Sequence, residues 1–266
     1  MANWLSNGGC FNAMRWANDG AGQGSRDWAA AIDIDIPEQP ISDPLILATS
    51  WDSDDMNTIS GDFEVQFRNL TDAGSFAIMT GATEIAWSSS TDLINGNAVI
   101  AAEELGQTNC SGKGPSRIDG VERSGANAIA QSSIASKDSF DLQWAIDFSG
   151  ATVDKEYEFR IVETGTSNVY ATLAGTVITV TVGDLTGITK DNDGVALGSC
   201  FVALFKKTEG GGPPHDYVFV SSQTSNASTG AYTFSNQPIA REYFVYSIKE
   251  DTPHVFDATD DVLTPV

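Results

Sequence analysis

Phe140, Leu142, Trp144, Ile146 and Phe148 are spaced two apart, and Asp141, Gln143 and Asp147 stand between them. An extended strand sends successive side chains to opposite faces, so these five apolar groups share one side. On a helix the same spacing would scatter them around the axis. The period recurs. Phe63, Val65 and Phe67 alternate with Glu64, Gln66 and Arg68, and Tyr157, Phe159 and Ile161 alternate with Glu158 and Arg160. Residues 173–182 add a run rich in Thr and Val, side chains that suit a pleated backbone.

Further strand-length runs stand at 201–205, 217–220, 231–234 and 243–248. Turn formers separate them: Asp193-Gly194, the loop Gly210-Gly211-Gly212-Pro213-Pro214, and Ser228-Thr229-Gly230. Helical signals are short. Residues 11–18, 98–105 and 126–136 each offer a turn or two, without a long amphipathic stripe. The expected fold is all-β: tandem antiparallel β-sandwiches of Ig-like or transthyretin-like kind, behind a loop-rich N-terminal arm.

Composition sets the expected boundaries. Residues 1–45 are rich in Asn, Gly, Asp and Pro, and read as an arm plus an edge strand that Pro37 closes. Residues 46–182 hold the first sandwich, with 149–156 as a connection of hairpin size. Gly183, Asp184, Leu185, Thr186 and Gly187 form the joint, and residues 183–266 make a second, smaller sandwich.

The charge balance excludes several partners. Lys and Arg number 14 against 36 Asp and Glu, a net charge of −22. Such a field repels phosphate backbones and anionic lipid surfaces, so neither nucleic acid nor membrane is an expected partner. The start of the chain lacks a basic segment followed by an apolar one, so it does not read as a secretory signal. A soluble protein made in the cytoplasm is the expectation. Three cysteines, Cys10, Cys110 and Cys200, argue against a disulfide framework, and separate thiols are expected ahead of a Cys10–Cys110 bridge.

No catalytic constellation emerges, and no cofactor is expected. His215 and His254 lie in loop segments and read as solvated side chains, not as the base of a nucleophilic triad. Asp52, Asp54 and Asp55, and separately Asp191 and Asp193, are oxygen-rich clusters of the kind calcium uses. Neither has EF-hand spacing, so surface turns are the expected reading. Of the six tryptophans, Trp144 belongs to the core face of its strand. Trp51 and Trp87 are the candidates for stacking on a sugar. Trp4, Phe11, Trp16 and Trp28 are the candidate partner-binding residues, because a loosely held arm bearing large aromatics can anchor on a neighbouring subunit.

Two stretches carry a family likeness. Residues 186–205, with Thr186-Gly187-Ile188 and Asp193-Gly194, and residues 225–234, with Gly230-Ala231-Tyr232-Thr233-Phe234, resemble the transthyretin-like or carboxypeptidase-regulatory-like β-sandwich domain. Asn226 and Ser228 replace the acidic residue usual before the second turn. The tail from Tyr243 to Val266, with Asp119-Gly120-Val121-Glu122-Arg123 and the strand around Trp144, is similar to tailed-phage virion structural proteins. That resemblance implies a non-enzymatic head decoration, fibre or tail protein. Its partners would be other virion proteins of a capsid or tail lattice and further copies of itself, and its location the virion. The competing expectation is an extracellular carbohydrate-binding or adhesive module, with a host-surface glycan as partner.

Overall fold

The computed structural model describes residues 9–20, 26–53, 59–99, 104–105, 116–118, 120–134, 138–166, 168–191, 193–207, 217–239, 241–249, 255–258 and 265. The chain divides into two compact units, Met1–Thr179 and Val180–Val266. The fold is all-β, as tandem β-sandwiches. Strands β1 (Gly9–Asn18), β2 (Asp27–Trp28), β3 (Ile36–Pro40), β4 (Leu45–Ser53) and β5 (Ile59–Asn69) open the first unit. Short strands follow: β6 (Ala77–Ile78), β7 (Ala86–Trp87), β8 (Ala98–Val99), β9 (Ser116–Arg117) and β10 (Gly120–Arg123). The first unit is completed by β11 (Ile129–Ile134), β12 (Asp138–Asp147), β13 (Glu156–Glu163), β14 (Val169–Thr172) and β15 (Val177–Val180).

One sheet of this unit runs β2-β1-β4-β12-β10-β8, with β7 and β9 also on β12. The other runs β11-β5-β13-β15-β3, with β14 on β13 and β6 on β5. Most pairs are antiparallel, but β9 and β10 lie parallel to β12. Gly120 makes the second of these possible. A Cβ there would stand 1.6 Å from the Asp141 carbonyl oxygen, so no other residue lets β10 approach so closely. The alternating residues face each other as the period requires. Trp16, Leu47, Trp51, Phe140, Leu142 and Trp144 from one sheet meet Phe63, Val65, Phe159 and Ile161 from the other.

The N-terminal segment differs from expectation. Residues 9–18 are β1, an internal strand hydrogen-bonded along β4, and not a loose arm. Their spacing hid this because a bulge between Phe11 and Ala13 breaks the period of two. Residues 98–105 and 126–136, read as short helical pieces, instead contribute β8 and β11. Residues 149–156 do not close a hairpin. They carry the chain from β12 in one sheet to β13 in the other.

The second unit has β16 (Val182–Ile188), β17 (Phe201–Lys207), β18 (Tyr217–Thr224), β19 (Ala231–Pro238), β20 (Tyr243–Lys249) and β21 (Val255–Ala258). Gly183 to Gly187, expected as a joint, lie inside β16. Its sheets are β16-β19 and β18-β17-β20-β21, and Leu185, Val202, Leu204, Phe234, Tyr243 and Val245 fill the space between them. Gly230 sits at φ +67 in the turn before β19, a left-handed conformation that glycine adopts without strain.

Candidate functional site

Among the described residues, the outer face of the β1-β4-β12-β10 sheet gathers several buried polar and charged side chains. Alternation puts Asp141 and Gln143 on the face opposite the apolar one, the side a half-buried strand turns to water. They are instead 1% and 0% exposed, with Asp52, Ser139 and Glu122 buried beside them. Both faces of β4 and β12 are therefore covered. A small apolar cluster of Ala17, Ile46, Leu93 and Ala145 holds part of the cover, with Trp28 against it.

These polar groups act on the loops that lie over the sheet. An Asp141 carboxylate oxygen accepts the Leu105 N–H at 2.5 Å, and Glu122 Oε2 accepts the Ile94 N–H at 2.8 Å. Asp92 accepts from Gly20 N–H at 2.9 Å. The buried Arg26 guanidinium donates to Gln143 Oε1 through Nε at 3.1 Å and Nη2 at 2.8 Å, and Nη2 lies 3.3 Å from Glu122 Oε1. A carboxylate withdrawn from water is costly unless charged or N–H groups replace its hydration. Here backbone amides and one guanidinium do so, which makes the acids fasteners for the loops. Asn127 does the same work between strands: it takes Val65 N–H at 2.8 Å and donates to the Val65 and Met79 carbonyls.

The expected calcium clusters divide. Asp52 is buried on the covered face, and Asp54 and Asp55 lie outside the described residues. Asp191 accepts the Asp193 and Val195 N–H groups at 3.0 and 2.8 Å, an Asx-type turn in which Gly194 takes φ +78. Among the described residues no three His, Cys, Asp or Glu side chains gather as a metal would need. His215 and His254 lie outside the described residues.

The expected attachment residues are scattered. Trp4 lies outside the described residues. Phe11 is half-buried, with its ring centroid 5.2 Å from that of Trp51. Trp16 is fully buried and meets Phe159 edge-on at 5.1 Å, so it has no surface to offer a partner. Trp28 is half-buried beneath Arg15, whose guanidinium carbon lies 4.4 Å from the ring centre. Trp51, a candidate for sugar stacking, is fully buried, whereas Trp87 is half-buried. Separate thiols are also corrected: Cys10 is disulfide-bonded, while Cys200 is free and buried. An odd count argues against a full framework, not against one bridge; Cys110 lies outside the described residues.

One polar corner has a pH signature. The Tyr157 hydroxyl and the Thr152 N–H and hydroxyl all donate to Glu84 Oε1. Burial pushes the Glu84 carboxyl up, but these bonds outweigh it and hold it below the usual carboxylate range. Burial, then the bond to Glu84, pushes the Tyr157 hydroxyl far above its ordinary value. Burial, then the charges of Glu163 and Asp62, pushes Tyr170 up to about 12. A phenol raised in the folded state stabilises less once the unfolded chain ionises, so stability falls as pH rises above about 10. Glu84 works at the other end: its contribution is complete above about 4.5 and is lost as pH falls through its folded value. In an ultraviolet titration of the folded protein neither Tyr157 nor Tyr170 is expected to ionise near the ordinary phenol value of about 10. Ionisation of either near that value while the first unit stays folded would contradict this.

No protein-family model matches the chain, and no curated protein does. Among solved structures it is similar to the major pilin SpaD of Corynebacterium diphtheriae at 11% identity and a TM-score of 0.27, covering 93% of this chain and 58% of that one. The chain therefore spans under two thirds of that pilin's length. A C-terminal fragment of the Streptococcus agalactiae major pilin GBS80 is similar at 10% identity and a TM-score of 0.28, covering 95% and 91%.

Proposed function

We propose that this protein is a non-enzymatic structural component of a phage particle, a head decoration, fibre or tail protein that joins a lattice and displays β-sandwich units. The observation that carries the reading is where the buried acids go. Asp141, Glu122 and Asp92 are bonded to the backbone of loops, so these buried carboxylates are committed to architecture. The disulfide at Cys10 supports the same reading, since such bonds persist on virion and cell surfaces and are rare in the cytosol. A net charge of −22 keeps a displayed protein soluble at high copy number and away from nucleic acid.

The test is reconstitution. Purified protein is titrated onto particles produced without it, and bound protein is measured after sedimentation. Saturable binding with a fixed number of copies per particle is expected. Binding that never saturates, or none, overturns the virion reading. The carbohydrate-binding alternative retains only Trp87 of its two indoles, because Trp51 is enclosed in the core.

A further inference from the structure

In the second unit the β18-β17-β20-β21 sheet turns aromatic side chains to its outer side. Val202 and Leu204 of β17 point into the core with Tyr243 and Val245 of β20, so Phe201, Phe205 and Phe244 point away from it. Phe205 stands opposite Phe219 on β18 and Phe244 on β20, with ring centroids 5.8 and 6.3 Å apart. Tyr217 reaches Phe244 at 5.7 Å. Four aromatic rings thus form one patch across three strands.

β18 also ends the sheet, and among the described residues no strand pairs with its far side. Tyr217, Val218, Phe219 and Val220 are all exposed, Phe219 at 55%. Edge strands are ordinarily guarded by charge, proline or a bulge. β18 has neither charge nor proline, and its one guard is the bulge opposite Leu204 and Phe205 that leaves Val220 without a direct partner. Residues 217–240 carry no charged side chain at all, within a chain of net charge −22.

We infer that this edge and its aromatic patch are the contact through which a second copy of the chain docks, β18 beside β18. Two copies repel wherever carboxylates meet, and an uncharged apolar strand lets them approach without opposing like charges. A basic partner would find no carboxylate on β18 to pair with. Antiparallel pairing of the two edges satisfies backbone groups on both and takes Phe219 and Val220 out of water. The inference deepens the multi-copy reading above by naming the joint between copies, and its test needs no particles.

Sedimentation velocity of the full chain over a concentration series is expected to show a reversible monomer–dimer equilibrium. Added salt should strengthen it by screening the remaining repulsion. Phe219→Glu and Val220→Glu each place like charges at the joint and should weaken the dimer at least about tenfold. Ile34→Glu, at an exposed position of the first unit, should leave it unchanged. Hydrogen exchange of the 218–221 amides should slow as wild-type concentration rises, a reading independent of whether the variants fold. A monomer at every concentration and salt, or a dimer that both glutamate variants leave intact, overturns the inference. Dimerisation without particle binding would instead overturn the virion reading and leave this one standing.

Discussion

Trp144→Ala is expected to destabilise the first unit by about 3–5 kcal/mol, the usual range for deleting a large buried aromatic. Trp144 is fully buried between the two sheets, and its indole N–H donates to the Asn127 carbonyl at 2.7 Å. The substitution removes the ring, opens a cavity bordered by both sheets and strands an acceptor. Trp144→Phe keeps much of the volume but still orphans the Asn127 carbonyl, so it should cost about 1–3 kcal/mol. Trp16 provides the contrast. Its Nε1 is buried with no hydrogen-bond partner, so Trp16→Phe discards an unsatisfied donor and should cost less than Trp144→Phe. Urea unfolding of the two phenylalanine variants decides the matter: equal losses would show that the Asn127 bond contributes nothing.

Arg26→Met should cost about 3–5 kcal/mol by leaving the Glu122 carboxylate buried without its guanidinium. The two side chains are 0% and 3% exposed, so water does not readily replace the lost partner. Gln143 loses two donors to the same change. The double variant Arg26→Met, Glu122→Gln should recover part of the loss. A neutral amide removes the buried charge while its oxygen still accepts the Ile94 N–H. If the double variant is no more stable than Arg26→Met, the loss comes from packing of the arginine stem and not from the stranded charge.

These two sites differ in how far they could be read from the chain. Trp144 belongs to an alternating run whose period places it on an apolar face, and the structure buries it there. Arg26 sits in a polar stretch with no periodicity, and its partners Glu122 and Gln143 are 96 and 117 residues away in sequence. Nothing local marks it as buried. The same limit explains Trp16, which a bulge in β1 removes from any clean alternation. It also explains Asp141, whose alternation is regular but whose face is covered by loops from elsewhere in the chain. Alternation tells which side chains share a face; it says nothing about what lies over the second face.

In the second unit the turn at Asp193-Gly194 was legible, because few residues accept the backbone that glycine adopts at φ +78. The strand runs at 201–205, 217–220, 231–234 and 243–248 were legible too. The aromatic patch was not. Phe205, Phe219 and Phe244 come from three strands and become one surface only through register, which fixes Phe205 opposite the other two.

By itself, the sequence determined the class of fold, since a period of two at Phe140 to Phe148 is compatible with strands and not with helices. It also determined that the surface is acidic, since 36 carboxylates cannot all be buried. Tertiary structure alone decided which alternating acids are enclosed and which strand is left at an edge. The reason is physical: strand pairing and loop cover join residues far apart in the chain, whereas periodicity reports only on neighbours.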